Sequence, residues 1–228
     1  MCNFIKQNIS NSRPDVCLSI GNVELNTLQQ LLKTVPFAEI RIDLMCIPFT
    51  HLFSVFGAHK NLIATYRHNN NDLEQVKYVY FNSIEKGARY IDLDVNLPEK
   101  LRKEIIQQAR HNKTGIILSY HNFIETQNSK ELNKIISGIK QQNPDIVKVA
   151  CMANTKSDCA AILSLYESHQ NIIAFCMGKV GSFTRILAPL IGAPFTYTSI
   201  EGAETAEGQI NYNEIVELLN RTKTLENE

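Results

Sequence analysis

Short apolar runs alternate with longer amphipathic stretches along the whole chain. Because strands buried on both faces read as continuous apolar runs, these short runs predict a largely parallel sheet. The weakest prediction falls after the second run, where Pro48 and Gly57 interrupt the helical pattern. The predicted strands are 16–20, 39–44, 62–66, 90–95, 115–120, 146–150, 172–177 and 195–199.

Local signals mark the helices between these strands. In 129–142 the apolar residues fall at i, i+3, i+4 and i+7, which is the spacing of one helix face. A second helix is expected to begin at Pro98, a residue typical of the first helical turn. A third is expected to be capped by Asp72 and to end at Gly87, and a last one to cover 211–219.

Eight alternations of strand and helix predict a (β/α)8 TIM barrel, with residues 1–228 forming a single catalytic domain. The alternative is an open, doubly wound sheet. That fold usually has a glycine-rich turn after its first strand, and IGNVE at 20–24 is not the GxGxxG pattern. The chain has no linker and no low-complexity tract, which favours one domain.

Composition excludes several classes of protein. The 228 residues are 44% hydrophobic and 20% charged, and 23 basic residues balance 23 acidic ones. No net charge would therefore attract the protein to nucleic acid or to an anionic membrane. No apolar stretch is long enough to span a bilayer, and residues 1–13 lack the apolar core of a signal peptide. We therefore expect a cytoplasmic protein that binds neither nucleic acid nor membrane.

The cysteines and histidines do not form a metal-binding pattern. None of the six cysteines belongs to a CxxC pair, and no two histidines have the spacing of helical zinc ligands. Cys17, Cys151 and Cys176 fall in predicted strands, where cysteine usually serves as a small buried apolar residue.

Lys148 is the most informative residue, because it lies inside the predicted strand 146–150. Apolar neighbours would disfavour the ammonium form and leave an amine that can attack a carbonyl carbon, as in Schiff-base enzymes. Alternatively, the side chain reaches the strand end and pairs with a carboxylate. This strand alone does not decide between the two.

Other polar residues fall at the carboxyl ends of predicted strands, where barrel enzymes carry their chemistry. Each also has a structural interpretation: Glu39 and Arg41 as an ion pair, Asp92 as a local cap or partner, Arg67 as a solvated residue and His121 as a hydrogen-bonded histidine. Their combination with Lys148 favours a catalytic site.

Seven segments of the chain, in order, resemble the motifs of the type I 3-dehydroquinate dehydratase family. The resemblance extends over nearly the whole chain. The matching segments are EIRID at 39–43, ATYR at 64–67, YIDLD at 90–94, SYHNF at 119–123, VKVA at 147–150, MGKVG at 177–181 followed by TR at 184–185, and TAEGQ at 205–209.

The resemblance implies a (β/α)8 barrel, commonly a homodimer, that needs no metal or organic cofactor. It implies dehydration of 3-dehydroquinate to 3-dehydroshikimate in the shikimate pathway of aromatic amino acid biosynthesis. By the same resemblance, Lys148 forms the Schiff base, His121 is the general acid and base, and Asp94 orients His121. The residues that would bind or enclose the substrate are Glu39, Arg41, Arg67, Arg185, Thr205 and Gln209.

Several positions depart from the family pattern. Asp94 stands where the family has glutamate, so either the backbone is closer to His121 or their hydrogen bond is longer. Asn122 replaces an aspartate, Thr205 a serine and Glu207 a proline. The HNNN segment at 68–71 lies where the family often has EGG.

Two other functions are compatible with a lysine inside a barrel strand. One is a class I aldolase, which the SYHNF histidine and the order of the arginines fit less well. The other is a sensor that binds a quinate-like acid without turnover. The changes at Asp94 and Asn122 leave the sensor open, whereas intact Lys148 and His121 favour the enzyme.

Overall fold

Eight parallel strands form a nearly closed barrel with helices around it, as the sequence predicted. The structure is a computed structural model that describes residues 16–67 and 72–226, with side chains described as far as residue 222. Neighbouring strands pair in the order β7-β6-β5-β4-β3-β2-β1-β8. The strands are β1 Val16–Ile20, β2 Ala38–Arg41, β3 Leu62–Thr65, β4 Tyr90–Asp94, β5 Gly115–Asn122, β6 Ile146–Met152, β7 Ile172–Met177 and β8 Thr196–Thr198.

Helices connect these strands and cover the barrel. The Asp72 side chain accepts a hydrogen bond from the Gln75 backbone N–H at 2.9 Å, so the predicted cap is confirmed. The helices are α1 Leu25–Leu32, α2 Phe49–Ala58, α3 Leu73–Glu85, α4 Glu99–His111, α5 Ser129–Lys140, α6 Lys156–Leu163, α7 Leu165–Ser168, α8 Gly178–Gly181, α9 Thr184–Leu190 and α10 Tyr212–Glu226.

Several predicted boundaries were wrong. The second strand ends at Arg41, because Ile42–Leu44 form a 3-10 turn closed by the hydrogen bond from Met45 N–H to the Ile42 carbonyl. β5 and β6 run two residues further than predicted, because their backbones stay paired as far as Asn122 and Met152. The last helix continues to residue 226 instead of ending at 219.

Pro48 and Gly57 do not prevent helix formation after the second strand. Pro48 occupies the N-cap of α2, where its missing N–H costs no helical hydrogen bond, and Gly57 lies in the last turn. Pro98 likewise caps α4 and is not its first helical residue.

One apolar layer lies inside the barrel, and a second lies between the strands and the helices. Alternate strand residues point into the barrel, where Cys17, Ile63, Ile117 and Ile173 form an apolar cluster with Phe195, which precedes β8. The residues between them face the helices and form the larger core. Cys17, Cys151 and Cys176 are buried, as predicted. Within the described ranges, no helix is both long and apolar enough to cross a membrane.

Candidate active site

A cavity of about 500 Å³ opens at the carboxyl ends of the strands. This volume suits a small organic molecule. All nine site residues proposed from the sequence line it. They are Glu39, Arg41, Arg67, Asp94, His121, Lys148, Arg185, Thr205 and Gln209.

Lys148 is buried at the base of this cavity, where its amine pairs with carboxylates and also lies beside an aromatic ring. Its Nζ atom lies 2.7 Å from Oδ2 of Asp92 and 3.9 Å from Oε1 of Glu39. The pairing with a carboxylate, one of the two interpretations of Lys148, is therefore present, and apolar neighbours are present as well. The two carboxylates come from β2 and β4, which neighbour neither each other nor β6.

Asp92 is the central acceptor of the site, which the sequence analysis treated as a local cap or partner. Its carboxylate accepts hydrogen bonds from Lys148 and, at 2.6 Å, from Oγ of Ser119, and it forms an ion pair with Nη2 of Arg67 at 2.9 Å. Burial raises the pKa of Asp92, but the charges of Arg67 and Lys148 outweigh burial and hold that pKa well below its usual value. Asp92 therefore remains an anion.

His121 and Asp94 form a hydrogen-bonded pair at the edge of the cavity. Nδ1 of His121 lies 3.0 Å from Oδ2 of Asp94, whose Oδ1 accepts the backbone N–H of Asn96 at 2.9 Å. Burial and the charge of Arg67 lower the pKa of His121 to about 4, even though Asp94 acts in the opposite direction. The imidazole is therefore neutral at pH 7 and can accept a proton.

Strand register places His121 beside Lys148. Ser119 pairs with Lys148 and His121 pairs with Ala150 on the neighbouring strand. Since inward-facing residues alternate and paired strands lie about 4.8 Å apart, His121 sits one inward position nearer the cavity mouth than Lys148.

Glu39 is held by hydroxyl groups. Its two carboxylate oxygens accept from Ser19 at 2.5 Å and from Thr65 at 2.8 Å. The suggested ion pair between Glu39 and Arg41 does not form. Arg41 instead makes a two-point contact with Asp43, at 3.0 and 2.7 Å, because the 3-10 turn brings that carboxylate alongside the guanidinium.

Arg185 is a buried cation with unused donors. Its side chain is 1% exposed, and its guanidinium lies 4.0 Å from the centre of the Phe175 ring. Its Nε and Nη2 atoms have no hydrogen-bond partner among the described residues, and the same holds for Nη1 of Arg67. Burial lowers the pKa of Arg185 to about 10, so it is still charged at pH 7. Buried, unpaired donors on two arginines create a site for an anion, such as a carboxylate.

The loop after β8 packs over one side of the cavity. Arg41 donates to the Thr205 carbonyl at 3.0 Å, and the Thr205 hydroxyl lies 2.6 Å from that of Ser19. Gln209 accepts the Thr205 N–H at 2.8 Å. Gly208 has a φ of +76° and packs directly on Gly178.

The comparisons with known proteins identify the family. A model of the family "Type I 3-dehydroquinase" matches residues 16–226. The chain belongs to the type I 3-dehydroquinase family. This result confirms the resemblance in the sequence, and the enzyme class is that of the hydro-lyases.

Relatives and solved structures agree with this family. The chain is 31% identical to 3-dehydroquinate dehydratase of Thermococcus onnurineus over 209 residues, which cover 86% of this chain and 94% of the relative. It is 36% identical to that of Archaeoglobus fulgidus over 201 residues, 84% of this chain and 92% of the relative. The crystal structure of type I 3-dehydroquinate dehydratase from Clostridium difficile shares the fold, with a TM-score of 0.80, 18% identity and 93% of each chain covered.

The structure adds residues to the site beyond the nine proposed from the sequence. Asp92 joins two cations, and Tyr197 and Phe175 form the aromatic wall beside Lys148 and Arg185. Phe123 stacks on His121 with their ring centres 5.8 Å apart. The position of Phe123 two residues after His121 in SYHNF is a signal for this contact. No such signal marks Phe175 of β7 and Tyr197 of β8, because the sequence pattern predicts that both are core residues.

No group of three potential metal ligands occurs among the described His, Cys, Asp and Glu residues.

Proposed function

We propose that the chain removes water from 3-dehydroquinate through a Schiff base at Lys148, giving 3-dehydroshikimate in the shikimate pathway of aromatic amino acid biosynthesis. The observation that carries this proposal is a buried lysine beside a neutral histidine, in a cavity that also holds a buried arginine with unused donors. These are the groups needed for an amine nucleophile, a proton carrier and a carboxylate clamp.

The reaction would begin at Nζ of Lys148. Once the ammonium has passed a proton to a neighbouring base, the amine lone pair attacks C3 of the substrate and the ketone oxygen takes up a proton. The resulting carbinolamine loses water and becomes an iminium. This cation withdraws electrons and makes the neighbouring C2–H bond acidic.

His121 would then move the proton. Its Nδ1–H donates to Asp94, so Nε2 is the free base that takes the C2 proton, and the electrons form the C2–C3 double bond of an enamine. The imidazolium returns this proton to the C1 hydroxyl, which leaves as water on the same face. A C1–C2 double bond remains, and hydrolysis of the iminium releases the product and Lys148.

Arg185 would bind the substrate carboxylate. A planar guanidinium offers paired donors that match a carboxylate, and the free Nε and Nη2 atoms are suitably adjacent for that contact. We propose that Glu39, Arg41 and Arg67 hold substrate hydroxyls and balance charge, and that Thr205 and Gln209 enclose the substrate from the loop.

The test is trapping with borohydride. The protein is incubated with 3-dehydroquinate and sodium borohydride, digested and analysed by mass spectrometry. We expect a stable adduct on Lys148 alone, and no adduct in Lys148→Ala. His121→Ala should still form the adduct but release little product. An adduct on another lysine would contradict the mechanism.

Absorbance at the enone band of the product distinguishes the enzyme from a sensor without turnover. The ordinary length of the bond between His121 and Asp94, 3.0 Å, favours the enzyme. A class I aldolase would instead cleave a phosphosugar, and we expect no such cleavage.

We further propose a cytoplasmic homodimer in which residues 1–228 form one domain. Light scattering with size-exclusion chromatography tests the dimer, and microscopy of a fluorescent fusion tests the location. Limited proteolysis tests the single domain, which should yield no second stable fragment.

A further inference from the structure

The aromatic face of Tyr197 lies against the nitrogen atom that would carry the imine. Nζ of Lys148 is 4.0 Å from the centre of the Tyr197 ring. Lys148 is 5% exposed and Tyr197 is 2% exposed, so water does not weaken the attraction between this cation and the ring. Tyr197 also lines the cavity.

Once the imine has formed, the carboxylates stabilise the positive charge on its nitrogen only in part, which leaves a role for this ring. A lysine ammonium has three N–H donors, whereas a protonated imine has one and a neutral imine has none. Two of the three N–H donors are therefore lost when the iminium forms. The attraction of an aromatic face depends on the positive charge and not on the number of N–H groups.

We propose that Tyr197 is a further catalytic residue, whose ring face keeps the imine on Lys148 in its protonated, electron-withdrawing form. This inference rests on the proposed Schiff-base function. Only the protonated imine is a strong electron sink, so loss of its proton would stop removal of the C2 proton by His121. The ring favours the cation over the neutral imine and thereby keeps the intermediate reactive.

Several other charged or titratable groups surround Nζ. Asp92 and Glu39 also favour a cation on the nitrogen, whereas Arg67 and Arg185 oppose it. These groups are Cys17 on β1, Glu39 on β2, Arg67 just after β3, Asp92 on β4, His121 on β5, Arg185 on α9 and Tyr197 on β8. β7 contributes the uncharged Phe175. None of these groups changes when only the electron density of the ring at 197 is altered.

The Tyr197 hydroxyl is not the group we invoke. It has no hydrogen-bond partner among the described residues. Burial, followed by the charge of Glu39, raises the pKa of this phenol well above its ordinary value, so the ring stays neutral. Phenylalanine at this position keeps the ring and removes the hydroxyl, which makes Tyr197→Phe the proper reference.

The experiment varies the ring without changing its position. Phenylalanine and then mono-, tri- and pentafluorinated phenylalanine are introduced at position 197, because fluorine withdraws electron density from the ring face. The readout is the dependence of kcat on pH with 3-dehydroquinate, because kcat reports on groups in the substrate-bound enzyme. We expect the alkaline limb to move stepwise to lower pH, by about 1.5 pH units in total, which corresponds to ~2 kcal/mol or a roughly 30-fold change in the protonation equilibrium.

Phe195 offers a matched control. It is 4% exposed and its ring centre lies 5.4 Å from that of Tyr197, while in the described part of the chain its ring contacts aromatic rings and no cation. The same fluorinated residues at 195 should leave the alkaline limb in place. The proposal would be overturned if the alkaline limb did not move in the fluorinated variants at position 197 (the 197 series). It would also be overturned if the limb moved equally in the fluorinated variants at position 195.

Failure of this proposal can be told apart from failure of the proposed function. If the unmodified protein gives no borohydride adduct on Lys148, the Schiff-base function is wrong. If it gives the adduct but the 197 series has a constant alkaline limb, the function stands and the role of the ring is wrong. Circular dichroism of each variant verifies that the barrel is folded.

Discussion

Asp94 reaches His121 at an ordinary hydrogen-bond distance, 3.0 Å between Oδ2 and Nδ1, although it is one methylene shorter than the family's glutamate. The backbone of β4 therefore holds the shorter carboxylate close enough. The other Asp94 oxygen accepts the Asn96 N–H at 2.9 Å, which fixes the orientation of the carboxylate. The local geometry around His121 therefore suits an aspartate at position 94.

This adaptation predicts that Asp94→Glu impairs the enzyme. The extra methylene must push the carboxylate or the imidazole by about 1 Å, and a displacement of that size can reduce the rate by roughly 100-fold. We expect kcat to fall by about 10- to 100-fold while the borohydride adduct on Lys148 still forms. An unchanged or increased kcat would contradict an adaptation of this pair to aspartate.

The low pKa of His121 predicts activity well into the acid range. Its pKa is about 4, below the value of about 6.5 for a free histidine, so the neutral base persists until the pH approaches 4. Protonation below that pH removes the base, and kcat/KM should fall there. The measurement is kcat/KM between pH 3.5 and 8, restricted to conditions in which circular dichroism shows a folded protein. An acid limb near pH 6.5 would contradict the burial of this imidazole.

Arg185→Lys should mainly weaken substrate binding. Lysine keeps the positive charge but loses the paired donors Nε and Nη2. A hydrogen bond to a charged group contributes about 1.5–3 kcal/mol, so we expect KM to rise by roughly 10- to 100-fold. Arg89→Lys is the matched control, because Arg89 also lies over an aromatic ring, 5.7 Å from the centre of Phe37, but does not line the cavity. An unchanged KM in Arg185→Lys would overturn the carboxylate assignment.

Asp92→Asn should destabilise the barrel, because it leaves the buried Lys148 and the partly buried Arg67 without their shared counter-charge. Breaking a buried ion pair in this way costs about 3–5 kcal/mol. The free energy of unfolding in urea measures the loss, and Lys148→Met in the same background should recover part of it. If Asp92→Asn is no more stable with Lys148→Met added, the two residues are not coupled.

Much of this site could be predicted from the sequence, because barrel topology brings all strand ends to one mouth. Three of the seven motifs carry Lys148, His121 and Arg185, and the structure brings these residues to one cavity. What could not be predicted depends on contacts across the barrel. Asp92 and Glu39 approach Lys148 from strands that are not its neighbours, and apolar periodicity carries no information about such pairs. Similarly, Tyr197 reads as a core residue, and only its position over Nζ indicates another role.

Gly208 should control how the loop after β8 rests on the site. Its φ of +76° suits glycine, and a Cβ atom there would meet the Gly178 carbonyl oxygen at 2.6 Å, so Gly208→Ala must move the loop away from α8. We expect a KM increase of about tenfold or more, because Gln209 and Thr205 would lose their positions over the cavity. Gly202→Ala is the control for backbone strain alone: its φ is +73°, but a Cβ atom there would meet nothing within 4 Å. It should lower stability by about 1–2 kcal/mol and leave KM unchanged. Equal KM values in the two variants would show that contact between Gly208 and Gly178 does not position the loop.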